Sequence, residues 1–199
     1  MTTFLLVRHA AHDWLGRGIA GRMPIVHLNP EGLQQADALV QRLEGTRVDA
    51  LYCSPQPRTQ ETATPLARSR GLAIRIDPAF DEIDFGQWTG RSFDELGAAG
   101  AWKHWCEQRG SAQAPGGERF VDVAQRAEQG LRTLRERHPD QHVLVVSHGD
   151  VIKAIVARQL GMSLDDLERF DVAPASVTVL AMGDGWSKLE LLNGLGVLP

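Results

Sequence analysis

Apolar positions along the chain follow two rhythms. Residues 3–7, 48–53, 73–76 and 142–146 are short, largely apolar or β-branched runs, the pattern of strands buried on both faces in a parallel sheet. Two further runs, 176–181 and 187–192, flank Gly183-Asp184-Gly185 and predict a hairpin near the end of the chain. Between the strands, apolar residues recur at helical spacing. Asn29 is placed to cap a helix with Pro30 at its first position, and Leu33, Ala36, Leu39 and Leu43 then share one face. Ser54-Pro55 reads as a similar start. Phe120, Val123, Ala124, Ala127, Leu131 and Leu134 form the stripe of a long amphipathic helix that ends before Pro139. Ser147-x-x-Asp150 has capping-box spacing ahead of Val151, Ile152, Ile155 and Val156, and Ser92-x-x-Glu95 and Ser163-x-x-Asp166 mark shorter helices.

Strands alternating with helices predict a three-layer α/β/α sandwich around a mostly parallel sheet. The chain has 199 residues and no repeat, low-complexity tract or linker, so a single domain over residues 1–199 is expected. Phe85, Trp88, Phe93, Trp102 and Trp105 concentrate in a stretch at roughly 85–118, which is expected to be an insertion covering the substrate. Most of these rings are expected to pack rather than to bind.

Composition narrows the function. Lys+Arg 21 against Asp+Glu 25 gives a net charge of −4, which argues against a nucleic-acid or anionic-membrane binder but leaves room for a local basic pocket. Eighteen of the basic residues are arginines, a bias that genome composition explains as well as anion binding does. Two cysteines, Cys53 and Cys106, are too few for a disulfide framework, and no Cys/His cluster has zinc spacing. The apolar run Phe4-Leu5-Leu6-Val7 is cut short by Arg8-His9, and no stretch approaches a membrane span. A cytoplasmic protein without metal or cofactor is expected. Its oligomeric state stays open, a homodimer included.

In open α/β sheets ligands bind beyond the carboxyl ends of the strands. His9 follows the first strand, and His148, itself followed by Gly149, follows the run at 142–146. Arg8 and Arg58 fall at the same edge. Two imidazoles and two forked guanidiniums make an anion site suited to phosphate. Rival chemistries fail on these residues. Ser147-His148-Gly149 lacks the first glycine of G-x-S-x-G, Val145 standing there, and no histidine follows His148 to complete a serine triad. Cys53 to Arg58 is C-x4-R where a cysteine-phosphatase loop needs C-x5-R, and Pro55 and Pro57 remove amide donors. Neither G-x-x-x-x-G-K-[ST] nor G-x-G-x-x-G is present. These observations do not rank His9 over His148.

Six ordered motifs carry a resemblance. Leu6-Val7-Arg8-His9 resembles the signature of the histidine phosphatase superfamily, also called phosphoglycerate-mutase-like, and Leu28-Asn29-Pro30-Glu31-Gly32 resembles its next helix start. Ser54-Pro55-Gln56-Pro57-Arg58 with Thr62-Ala63 is similar to its S-P-x-x-R-x-x-x-T-A element. Glu82-Ile83-Asp84-Phe85-Gly86-Gln87-Trp88-Thr89-Gly90 is similar to E-x-x-F-G-x-W-x-G, closest to the phosphatase branch. Gly116-Gly117-Glu118 and Ser147-His148-Gly149 complete the set. The resemblance implies a metal-independent phosphomonoesterase acting on a small phosphorylated metabolite. It implies His9 as the nucleophile that becomes phosphorylated, Arg8, Arg58 and His148 as holders of the phosphoryl oxygens, and Glu82 as proton donor. Gly149 enters the substrate-binding set through the same motif. Asp81 and Asp84 remain alternatives to Glu82.

The chain departs from the family pattern at three points. Ala10 stands where a glycine is usual, which a negative φ permits. Ala11 and His12 replace an acid-or-glutamine and a hydroxyl residue, and Leu15 replaces a frequent asparagine. His12 is a candidate phosphate contact or an exposed loop residue. Arg17 and Arg22, among Gly16, Gly18 and Gly21, are candidates to grip another charged part of the substrate, or serve solubility alone. The rival functions are a phosphoglycerate-type mutase and an inactive phospho-ligand binder, the latter motivated by Ala10 and Leu15.

Overall fold

The computed structural model describes residues 1–97 and 100–197. The elements run β1 (Thr2–Arg8), α1 (Pro30–Arg42), β2 (Ala50–Cys53), α2 (Pro57–Arg70), β3 (Ile74–Ile76), α3 (Phe93–Gly97), α4 (Gly100–Glu107), α5 (Phe120–Arg137), β4 (His142–Ser147), α6 (Gly149–Leu160), β5 (Val177–Gly183) and β6 (Trp186–Gly194). All six strands lie in one sheet of order β3-β2-β4-β1-β5-β6. The first four of that order are parallel, and the terminal hairpin adds β5 antiparallel to β1. The mostly parallel sandwich expected from the sequence is the one observed.

Alternation along each strand splits the core in two. Phe4, Leu6, Tyr52, Val143 and Val145 face the side covered by α5 and α6, whereas Leu5, Val7, Leu51, Leu144 and Val146 face α1 and α2. The α5 stripe is buried as its spacing requires, from Phe120 through Leu134. Trp88 and Trp105 are buried in the same core, edge-on to each other with ring centroids 5.7 Å apart. Most aromatic residues of the 85–118 stretch therefore pack, as expected. No helix among the described residues is long and apolar enough to cross a membrane.

Three local expectations are revised. Asn29 does cap α1, its side chain accepting from the Gly32 N–H at 2.9 Å, but Leu33 is 52% exposed and Gly32 is the residue turned inward. A Cβ at position 32 would lie 2.0 Å from the Ala11 carbonyl oxygen, so the helix face is set by how closely α1 approaches the loop after β1. Helix α2 begins at Pro57 after Gln56, two residues later than Ser54-Pro55 predicts. Ser147 does not cap α6: its hydroxyl donates to the Phe80 carbonyl at 2.8 Å, and His148 occupies the N-cap position. By contrast, Ser92 and Glu95 bond reciprocally at 2.7 and 3.3 Å.

The topology fixes the site. β1 and β4 are adjacent and parallel with Arg8 opposite Ser147, so Arg8-His9 and Ser147-His148 leave the sheet side by side. β2 is the other neighbour of β4 and delivers the start of α2 to the same edge.

Candidate active site

His9 is buried, 2% exposed, at the end of β1. Its Nδ1 lies 2.9 Å from the Ala10 carbonyl, which can only accept, so Nδ1 carries the proton and Nε2 presents a lone pair. Burial, then the nearby Arg58 and Arg8 charges, hold its pKa well below the ordinary histidine value, keeping the ring neutral at neutral pH. Ala10 is not among the residues with positive φ, and its N–H donates to the Thr62 hydroxyl at 2.9 Å. Alanine at this position therefore leaves the support of the His9 ring intact.

Arg58, in the first turn of α2, is 1% exposed. Its Nη2 donates to the Gly21 carbonyl at 2.7 Å and approaches His148 Nδ1 at 3.2 Å. Its Nε and Nη1, and Nε of Arg8, are buried with no acceptor among the described residues. Each such donor costs about 1–3 kcal/mol if left unpaired. An oxyanion is the kind of acceptor that these donors lack. Arg8 is anchored through Nη1 to the Val172 carbonyl at 2.6 Å. Gly149 makes room for it, since a Cβ there would lie 3.1 Å from Arg8 Nε. Gly149 thus shapes the site by yielding space.

The rings of His9 and His148 stand 5.2 Å apart, edge to face. Donor atoms of His9, His148 and Glu82 all lie within 4.8 Å of one another. Three such ligands could hold a transition metal, but Arg8 and Arg58 line the same cleft, and their charges oppose a dication there. The donor set suits a phosphoryl group better than a metal.

Glu82 has the profile of a general acid. Burial pushes its carboxyl up to about 7, against the pull of Arg58. Its Oε2 is 3.4 Å from His148 Nδ1 and 3.8 Å from Arg58 Nη2. Asp81 is committed elsewhere, its Oδ1 accepting from Ser54 Oγ (3.0 Å), Gln56 Nε2 (2.9 Å) and the Glu82 N–H (2.8 Å). Asp84 accepts from the Gly86 N–H at 2.9 Å and does not line the cleft.

The cleft holds about 160 Å³ and is walled by Trp14, Leu15, Ile19, Phe85 and Phe93 beside the charged groups. His12 lines it, 5% exposed, with its ring centroid 4.9 Å from that of His9. Its Nδ1 accepts from the Trp14 N–H at 3.2 Å, and burial brings its pKa down to about 4. Arg17 is exposed and outside the cleft lining. Arg22 is a correction to the sequence reading. Its Nε donates to the Glu82 carbonyl at 2.8 Å and lies 3.3 Å from Asp81, while Nη2 donates to Glu118 at 2.8 Å. It grips the acid loop and is absent from the cleft lining.

Sequence reasoning missed the rest of that support. Arg126 on α5 donates to the Glu82 carbonyl at 3.0 Å and to Glu118 at 3.2 Å, and Glu118 accepts from the Asp84 N–H at 3.0 Å. The Gly116-Gly117-Glu118 motif was visible without its role. Asp150, read only as a cap, lines the cleft and is held by Arg109 at 3.2 Å. The wall residues Trp14 and Ile19 carried no local signal.

Two buried imidazoles, a buried and a half-buried guanidinium and a carboxyl of raised pKa at the carboxyl edge of a parallel sheet define a phosphoryl-transfer site. Residues 4–194 match the histidine phosphatase superfamily (branch 1), and the chain belongs to that family, whose members here are phosphoric monoester hydrolases. It is 31% identical to phosphoserine phosphatase 1 of Hydrogenobacter thermophilus, covering 97% of this chain and 92% of that one. It is 29% identical to the adenosylcobalamin/alpha-ribazole phosphatase of Escherichia coli K12, over 96% of each. The solved structure of Bacillus stearothermophilus YhfR superposes with a TM-score of 0.93 at 30% identity, covering 98% of each chain.

Proposed function

We propose that this protein hydrolyses a small phosphorylated metabolite, without a metal, through a phosphohistidine on His9. The observation that carries this reading is the His9 ring itself, neutral, with Nδ1 pinned to the Ala10 carbonyl and Nε2 free beside Arg8 and Arg58.

In the first step His9 Nε2 attacks phosphorus and the P–O bond to the leaving group breaks, while the Glu82 carboxyl gives its proton to the departing oxygen. Arg8 and Arg58 hold the charge on the equatorial oxygens, and they do so without reorganising because both are already anchored to backbone carbonyls. In the second step Glu82, now ionised, takes a proton from water as that water attacks phosphorus. The P–N bond breaks, His9 recovers its lone pair and phosphate leaves. The relatives' names differ in leaving group, phosphoserine in one and alpha-ribazole in the other, which supports a shared phosphoryl chemistry with the substrate chosen by the cleft walls. We place the enzyme in the cytoplasm, where Cys53 and Cys106, both free, stay reduced.

The test is to quench turnover of a 32P-labelled monoester with alkali, which preserves phosphohistidine, and to map the label. It is expected on the peptide carrying His9 and lost in His9→Ala. Label on another peptide, or rapid phosphate release by His9→Ala, overturns the reading. Isomerised ester without free phosphate would instead identify a mutase.

A further inference from the structure

Asp81 precedes the acid Glu82, and its carboxylate ends a buried chain of hydrogen bonds. Ser54 Oγ lies 3.0 Å from Asp81 Oδ1 and 2.8 Å from His148 Nε2. Ser54 and His148 are fully buried and Asp81 is 8% exposed. A hydroxyl has a single proton to give. Of its three neighbours the Gln56 N–H, at 3.3 Å, only donates, the carboxylate only accepts and the ring nitrogen can do either, so Ser54 donates its one proton to Asp81 and accepts from Gln56 and His148 on its two lone pairs. Nε2 therefore carries hydrogen. At the opposite ring nitrogen, Nδ1, the neighbours are Arg58 Nη2 at 3.2 Å and Glu82 Oε2 at 3.4 Å; a guanidinium only donates, and the buried carboxyl can donate as well while it holds its proton. Nδ1 is therefore the lone pair. The two sides of the ring, reasoned separately, give the same tautomer.

We propose that Asp81, acting through Ser54, is a positioning group that fixes His148 as the Nε2–H tautomer. The cleft-side Nδ1 is thereby kept able to take a solvent proton when a phosphoryl group arrives. In that charged form both ring nitrogens donate, Nδ1 to a phosphoryl oxygen and Nε2 through Ser54 toward Asp81. The charged and titratable groups around the ring are Arg58 from α2, Arg8 and His9 from the end of β1, Arg126 from α5, and Glu82 and Asp81 from the acid loop. Of the two acids, Asp81 lies 3.9 Å from Nε2 and Glu82 lies 3.4 Å from Nδ1. A bound dianion joins Glu82 on the Nδ1 side, leaving Asp81 as the counter-charge behind the ring. The arrangement has the logic of a carboxylate orienting a catalytic imidazole, with one hydroxyl interposed.

The kinetic part of this inference rests on the phosphohistidine reading, whereas the tautomer does not, so the two fail separately. Enzyme labelled with 15N-histidine is examined by long-range 1H–15N correlation, His148 being assigned by the signals lost in His148→Gln. The empty enzyme is expected to show Nε2 protonated and Nδ1 bare, and both nitrogens protonated with vanadate bound. Ser54→Ala leaves Asp81 bonded to Gln56, Arg22 and the Glu82 N–H. It is expected to lose the fixed tautomer and to lower kcat about 10- to 100-fold, the range for removing the partner that orients a working histidine, with far less change in KM. Asp81→Asn keeps an acceptor for Ser54, and so the tautomer, but loses the second protonation with vanadate. Nδ1–H in the empty parent enzyme overturns the proposal. So does a fall in kcat for Ser54→Ala without a change in the His148 shifts, or a changed tautomer with kcat intact.

Discussion

At the scale of single residues, Glu82 and His9, the proposed acid and nucleophile, are separated by their surroundings. Burial holds the His9 pKa well below the ordinary histidine value and raises that of Glu82 to about 7, so just below pH 7 a neutral imidazole and a protonated carboxyl stand together. As pH rises through about 7, Glu82 ionises and can no longer protonate a leaving group. For alkyl phosphates kcat/KM is therefore expected to fall above that pH. With an aryl phosphate, whose leaving oxygen needs no proton, the fall should vanish. Glu82→Gln is expected to lower kcat/KM about 100-fold or more for alkyl esters and little for aryl esters, because kcat/KM reports the phosphorylation step and not the later attack of water. Equal losses of kcat/KM on both classes, measured as release of the alcohol or phenol, would remove Glu82 as acid. The raised pKa also has a sign for stability: the folded protein holds this proton more tightly than the unfolded chain, so stability falls as pH rises from about 4.5 to about 7 and stays at the lower level above that. Glu82→Gln is accordingly expected to melt higher than the parent at pH 8, a difference that shrinks at pH 5.

At the scale of elements, the loop after β1 is held by the helix that follows it. Besides the close approach of Gly32, the Ala11 N–H donates to Gln35 of α1 at 2.9 Å, and the Asn29 N–H donates to the Ala11 carbonyl at 3.1 Å. Gly32→Ala places a methyl 2.0 Å from that carbonyl oxygen, and backbone rather than a flexible side chain must move. A loss of about 1–3 kcal/mol is expected, with a fall in kcat because Ala10, adjacent to the displaced residue, holds His9. Thermal melting checks the first and steady-state kinetics the second. Leu33→Ala, on the exposed side of the same turn, should leave both nearly unchanged, the reverse of what the apolar pattern alone predicts.

At the scale of the whole molecule, a chain with a net charge of −4 concentrates two anchored guanidiniums in one cleft. The positive charge that a metal supplies in other phosphatases is present here as side chains. Activity is expected to survive EDTA, and vanadate, a mimic of the five-coordinate transition state, is expected to inhibit competitively. Loss of turnover in EDTA restored by Mg2+ would contradict the site as described, as would indifference to vanadate.

What the sequence determined by itself was whatever depends on neighbours along the chain. Strand identity, the Asn29-Pro30 helix start, the α5 stripe and the positions of His9 and His148 after two apolar runs are short-range patterns, set by period and by capping chemistry. Tertiary structure alone decided the contacts between distant segments. It turned Gly32 rather than Leu33 inward, because α1 meets the β1 loop there. It took Arg22 out of the cleft, because Glu118 and the Glu82 carbonyl lie within its reach. It separated Glu82 from Asp81, adjacent residues of the same charge, because Ser54, Gln56 and Arg22 converge on Asp81, whereas burial beside His148 raises the proton affinity of Glu82. Burial and hydrogen-bond partners belong to positions in space, and a carboxyl's proton affinity follows them rather than its place in the chain.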